Sequence, residues 1–230
     1  MLYRHVAGNV LLLFLVFVLG MAALPVHAEQ VWDDELNRYL TPEELGLEEV
    51  YLTPEEAAKL MFPDSERIDE QTVALTPAQK ATVEERVGWQ FPEHSFECFI
   101  GRSNGTVDGW AMIQHTIGKH KPMTYMVGVD PDGEVINVEV LIYRESRGSE
   151  VRTKRFNYQY EGKTLYDPIR INRDVINISG ATMSVRSMSA GVKRVLVLVD
   201  ELYLKPQGRG SNAPTARKRE KGFFEVLFGF

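Results

Sequence analysis

Two apolar runs joined by a tight turn constrain this chain more than any other feature. Residues 123–130 are rich in β-formers, and residues 134–143 set Val135, Val138, Val140 and Ile142 among polar partners. Between them lies Asp130-Pro131-Asp132-Gly133, in which proline presets φ and glycine supplies a positive φ. Runs joined in this way pair as an antiparallel hairpin. Residues 106–117 read as a further strand of imperfect alternation. Asp130, Asp132 and Glu134 offer too few oxygens for a calcium loop, which takes about twelve residues and a closing glutamate. A turn accounts for them.

Helical patterns flank the strands. Residues 29–90 read as helical and acidic. Thr41-Pro42-Glu43-Glu44, Thr53-Pro54-Glu55-Glu56 and Thr76-Pro77-Ala78-Gln79 each put Thr at the N-cap, Pro at the first helical position and Glu or Gln at the third. The helix from Pro54 is expected to bury Ala57, Ala58, Leu60 and Met61, and the one from Pro77 to stop at Gly88. Residues 150–160 read as one short helix. Over residues 184–204, Met188, Val192, Val195, Leu196, Val199, Leu202 and Tyr203 recur at three- and four-residue spacing, an apolar stripe that packs on the sheet.

This last helix is preceded by Ile178-Ser179-Gly180-Ala181-Thr182-Met183-Ser184. Small residues at a helix start expose free N–H groups, which the helix dipole helps to hold a phosphate. The plainer reading of the run is an N-cap by the hydroxyl of Ser179 or Thr182, worth about 1 kcal/mol. Further upstream, Tyr143-Arg144-Glu145-Ser146-Arg147-Gly148 and Phe156-Asn157-Tyr158-Gln159-Tyr160-Glu161-Gly162-Lys163 add to the pattern. The three stretches together resemble, in the right order, the FMN-binding domain family, whose S-G-A-T motif carries FMN on its threonine through a phosphoester. Members include flavin subunits of sodium-pumping quinone reductases and related membrane electron-transport complexes.

The resemblance implies FMN as cofactor and Thr182 as its anchor. It implies further contacts from Ser179, Gly180, Ala181 and Ser184, with Met183 placed by position. It also implies a loop facing the flavin, made by Glu145, Ser146 and Gly148, where Arg147 replaces the usual proline. Phe156, Tyr158 and Tyr160 either stack on the flavin or belong to the core. Many relatives place an aspartate three residues before the motif serine. Here Ile176 holds that place, and Asp174 is two residues further back. Attachment would need a separate FAD:protein FMN transferase, so this chain is that enzyme's substrate and reads as an electron carrier without catalytic residues of its own; the alternatives are a flavin-dependent reductase of a small extracytoplasmic acceptor and a non-redox accessory module that has lost the flavin. The fold implied is α+β, an antiparallel sheet packed with helices, with a helical N-terminal extension.

The N-terminus carries Arg4, an apolar run from Val10 to Leu19 and Val26-His27-Ala28, the layout of a secretory signal cleaved after Ala28. An uncleaved anchor is the alternative, since residues 10–26 approach the length that spans a bilayer. The expected organisation is a signal peptide at 1–28, the helical extension at 29–90, the FMN-binding domain at 91–204, and a basic linker with an apolar tail at 205–230. The expected place is the periplasm or the outer face of the cytoplasmic membrane. The expected partners are membrane or periplasmic electron-transfer proteins. Phe223-Phe224-Glu225-Val226-Leu227-Phe228-Gly229-Phe230, beside Arg217, Lys218, Arg219 and Lys221, fits peripheral membrane contact, a partner, or docking on its own domain.

A formal charge of −6 speaks against nucleic acid. Cys98 is the only cysteine, which removes intramolecular disulfides, c-type haem and iron–sulfur clusters, and it reads as a buried thiol. His94, His115 and His120 share no metal-ligand spacing. Asn104-Gly105-Thr106 and Asn177-Ile178-Ser179 are chance matches to a glycosylation sequon, and a sugar on Asn177 would obstruct the flavin site.

Overall fold

The computed structural model describes residues 32–33, 37–41, 49–145 and 148–210. The segment expected to be a signal peptide, the helix expected from Thr41-Pro42, Ser146, Arg147 and the tail from residue 211 lie outside the described residues. Two short strands, β1 (Trp32–Asp33) and β2 (Arg38–Tyr39), pair with each other. A six-stranded antiparallel sheet forms the body, in the order β3-β8-β7-β6-β5-β4. Its strands are β3 (Glu49–Val50), β4 (Arg67–Ala74), β5 (Ser95–Ser103), β6 (Thr106–Ile117), β7 (Pro122–Val129) and β8 (Val135–Tyr143).

Both faces of this sheet are covered. Along β6, Trp110 and Met112 join one apolar cluster while Ala111 and Ile113 join the other. On β7, Tyr125 and Val127 face the first cluster and Met126 the second. Successive side chains point to opposite faces, so a strand buried on both sides reads as one apolar run. That explains the imperfect alternation of these strands.

Helix α1 (Pro54–Met61) covers one face. Thr53 caps it through a complete capping box, and Ala57, Ala58 and Met61 are buried. Leu60, expected in the core, is 42% exposed. The stripe made by positions 57, 58 and 61 leaves position 60 about a quarter-turn to the side. On the other face lie α2 (Pro77–Val87) and α4 (Thr182–Val199), which pack together. Thr76 caps α2, again with a capping box, and Gly88 ends it at φ +84°.

The expectation that residues 29–90 are helical is corrected at four places, since the short strands β1, β2 and β3 lie in this span together with one longer strand. Arg67–Ala74 is a strand, β4, paired residue for residue with β5 from Arg67↔Arg102 to Ala74↔Ser95. Its sequence is mostly polar and exposed because it is the outer strand, where charge guards an open edge. Pairing, not pattern, makes it a strand.

A second correction concerns residues 150–160. Instead of one helix there are three successive turns: a 3-10 turn at Ser149–Arg152, α3 (Lys154–Asn157) and a 3-10 turn at Tyr158–Tyr160. Thr153 breaks the series with an extended ψ of 138°, and its hydroxyl restarts it by accepting from the Phe156 N–H at 3.3 Å. The last helix begins at Thr182 and gives way at Asp200 to a π-helical turn through Leu204.

Candidate functional site

The first turn of α4 sits where two loops meet it. Ala181 is its N-cap and is buried, but no side chain caps the helix. The hydroxyl cap expected from Ser179 or Thr182 is absent. Gly180, at φ +85°, turns the chain into the helix, leaving Ser179 exposed beside it and Thr182 already helical. The first helical bond runs from the Val185 N–H to the Ala181 carbonyl at 3.0 Å. By helix geometry the N–H groups of Thr182, Met183 and Ser184 have no partner inside the helix.

The loop after β8 closes against this turn. Gly148, at φ +83°, lies so near that a Cβ there would stand 2.5 Å from the Ala181 Cβ and 3.0 Å from the Tyr143 hydroxyl. The Tyr143 hydroxyl in turn lies 3.4 Å from the Ser184 Oγ. Burial pushes the Tyr143 phenol pKa up, so the phenol stays neutral. On the other side, the β6–β7 turn is tied down by Glu145, whose Oε1 accepts the N–H of His120 at 2.5 Å and of Lys121 at 2.9 Å. Gly118 fits between Glu145 and Ser184, as a Cβ there would stand 3.0 Å from the side-chain oxygen of each.

Of the expected site residues, Gly148, Ala181, Ser184 and Glu145 therefore meet around one point, with Thr182 partly buried and Met183 45% exposed above it. Ser179 and Gly180 form the exposed approach. Glu145 holds backbone through one oxygen. Phe156 and Tyr160 are core residues, set edge-on at 5.9 Å, and the Tyr160 hydroxyl meets the Ser189 Oγ at 2.9 Å. Tyr158 alone of the three is exposed, at 51%.

Asp174, the acid displaced from the motif, serves its own loop. Its carboxylate accepts from the N–H of Ile169 and Arg170 and from the Lys163 Nζ, at 2.9, 2.7 and 3.1 Å. Sequence reasoning missed the part of Asn177, whose Nδ2 donates to the Thr182 Oγ1 at 2.9 Å. Its only signal was a sequon match, set aside as chance. The Tyr143 and Gly118 contacts were also unread, because they join residues far apart in the chain. Among the described residues no group of His, Cys, Asp or Glu is arranged to hold a metal ion. An open depression of about 430 Å³ lined by Glu84, Glu85, Gly88 and Trp89 lies at the end of α2 and includes none of these residues.

Residues 118–197 match the family model of the FMN-binding domain. This chain carries an FMN-binding domain. The match begins at Gly118, beside Glu145 and Ser184, and runs through most of α4. The chain is 22% identical over 200 residues to a subunit of the Na(+)-translocating ferredoxin:NAD(+) oxidoreductase complex of Acetobacterium woodii, covering 81% of this chain and 93% of that one. Among solved structures it is similar to a subunit of the Na(+)-translocating NADH-quinone reductase of Parabacteroides distasonis, with a TM-score of 0.37 and 17% identity over 55% of this chain and 77% of that one. It is also similar to NqrC of Shewanella oneidensis, with a TM-score of 0.43 and 14% identity over 60% and 81%.

The residues of the FMN-binding domain suit the cofactor's phosphate end. The uncapped first turn of α4 presents N–H groups. Asn177 Oδ1 beside Thr182 is buried without a hydrogen-bond partner, and buried polar atoms are rarely left so. Glycine at 148 keeps the adjoining loop within contact of the helix start.

Proposed function

We propose that this protein is an exported electron-transfer flavoprotein with FMN phosphoester-linked to Thr182, relaying electrons between membrane or periplasmic redox partners. The position of Thr182 carries the reading. It is the first residue of an eighteen-residue helix, inside the matched domain, with its hydroxyl engaged by Asn177 and not used as a cap. Membrane electron transport is supported by the relative from Acetobacterium woodii, which belongs to a sodium-translocating oxidoreductase complex.

FMN, when bound, would supply one- and two-electron transfer. Each remaining task falls to the chain. The N–H groups of Met183 and Ser184 would hold the phosphate, and the helix dipole would add to their pull. Ser179 and Gly180 leave the approach to Thr182 open to the transferase. Glu145, through its hold on His120 and Lys121, fixes the β6–β7 turn at the rim. The neutral Tyr143 phenol fixes the Ser184 hydroxyl under the first turn. The apolar stripe of α4 anchors the whole helix on the sheet, so the position of Thr182 is set by the core.

The test is the intact mass of the exported protein made beside a magnesium-dependent flavin transferase, with Thr182→Ala as control. A gain of one FMN less water, absent from the control, is the expected result. Yellow protein that loses FMN on denaturation would establish binding without the covalent bond. Colourless protein of unmodified mass, with a known target labelled in the same cells, would overturn the reading. The same mass reports whether residues 1–28 are removed.

A further inference from the structure

Threonine in a helix divides between two rotamers where its hydroxyl can reach a carbonyl three or four residues back, and the first residue of a helix has no such turn behind it to fix the choice. At Thr182 another group takes the oxygen: Asn177 Nδ2 donates to Oγ1 at 2.9 Å. Asn177 is itself held. The next residue back, Ile176, donates its N–H to the Gln159 Oε1 at 2.6 Å, and the Ala181 N–H closes a turn onto the Ile178 carbonyl at 3.0 Å. The loop 177–181 is thus pinned at both ends, and the amide reaches across it to the hydroxyl.

We propose that Asn177 is a positioning residue for the modification of Thr182. This rests on the reading of Thr182 as the attachment point. In the reaction, Oγ1 bonds to the phosphorus of the FMN half of FAD and the bond from that phosphorus to the AMP oxygen breaks. AMP leaves with the electron pair, and the hydroxyl proton passes to a base of the transferase. The amide gains and loses no proton. By donating to one lone pair, it holds the oxygen in a single rotamer with the other lone pair turned to the incoming phosphorus. Its N–H also steadies the oxygen as negative charge grows there when the proton leaves. Nothing in this role calls for an acid, so the motif place occupied by Ile176 and the structural engagement of Asp174 are compatible with attachment.

The test follows mass gain over time for the purified full chain with a magnesium-dependent flavin transferase and FAD, at a series of chain concentrations. Asn177→Ala is expected to lower kcat for labelling about tenfold or more while KM for the chain and the melting temperature stay at wild-type values. Asn177→Asp keeps the shape but offers no donor to Oγ1 at neutral pH. It is expected to lose kcat as well, and serves if the alanine variant fails to fold. Labelling of either folded variant at the wild-type kcat, or faster labelling of the aspartate variant, would overturn the proposal and leave the Thr182 reading intact. A fall in kcat matched by a fall in melting temperature in both variants would also overturn it, as the mark of a merely structural role. Wild-type chain left unlabelled, while a known target is labelled in the same mixture, would instead overturn the Thr182 reading and this proposal with it.

Discussion

The two ends of helix α4 are built to opposite rules. Toward its C-terminus, Met188, Val192, Val195, Leu196 and Val199 are buried on the sheet. Arg194, 1% exposed, lies over the rings of Trp89, Phe91 and Phe96 at 5.0–5.3 Å, donates to the Gln114 Oε1 at 2.6 Å and pairs with Glu93 at 3.3 Å. Beyond the helix, Tyr203 stacks on Trp110 at 5.0 Å, and Arg86 binds both Asp200 and Glu201. The N-terminal end has no cap, an exposed Met183 and a buried oxygen of Asn177 without a partner. Stability is concentrated at one end so that the other can present backbone and a hydroxyl. Departures from local rules collect where function lies.

Substitutions at the two ends should therefore separate stability from labelling. Arg194→Met should have the largest effect, about 3–4 kcal/mol, since it leaves Gln114 and Glu93 without the charge they face. Urea unfolding measures it, and labelling per folded molecule should stay at the wild-type level. Gly191→Ala comes next at about 2–3 kcal/mol, because its Cβ would stand 1.7 Å from the hydroxyl of the fully buried, rigid Tyr125. A melting temperature equal to wild type would show that the packing beneath the middle of α4 yields more easily than its contacts imply.

Gly148→Ala reverses the pattern. A positive φ costs a non-glycine residue about 1–2 kcal/mol, but the displaced loop and Ala181 should cost most of the FMN labelling, as read by intact mass. Cys98 gives a smaller effect that depends on pH. Burial pushes its thiol from 9.0 up to about 11, the largest influence, against a hydrogen bond from Tyr203 that lowers it. Below pH 9 the thiol is protonated in both folded and unfolded chains and has no effect on the balance. Above that, the unfolded thiol ionises while the folded one keeps its proton, so stability falls as pH rises toward 11, by about 1 kcal/mol at pH 10. Thermal melts from pH 8 to 10 should show this decline, and Cys98→Ala should make it shallower, leaving the part that the buried phenols of Tyr125, Tyr160 and Tyr203 contribute in the same direction. Thr182→Ala should have the smallest effect on stability, within about 0.5 kcal/mol, and should abolish labelling.

Legibility in the sequence followed the range of the forces involved. The capping boxes at Thr53 and Thr76 were readable because each closes within four residues. The Asp130–Gly133 turn was readable for the same reason, its Asp130 Oδ1 accepting from Asp132 and Glu134 at 2.9 Å. The stripe on α4 needed only helical periodicity. Strand β4 was hidden, since its polar residues acquire their conformation from β5. The break at Thr153 escaped the reading because helix and interrupted turns share one spacing.

By itself, then, the sequence determined the antiparallel hairpin, the helix ends, the apolar stripe and the S-G-A-T run before it, all through contacts between near neighbours along the chain. Only the tertiary structure decided which groups surround that run. Gly118, Glu145, Tyr143 and Gly148 reach Ala181 and Ser184 from strand ends and loops more than thirty residues away. Even Asn177, five residues from Thr182, depends on a loop whose shape is held by Gln159. Burying both faces of one sheet brings these distant segments to the same helix end, and no local pattern records that packing.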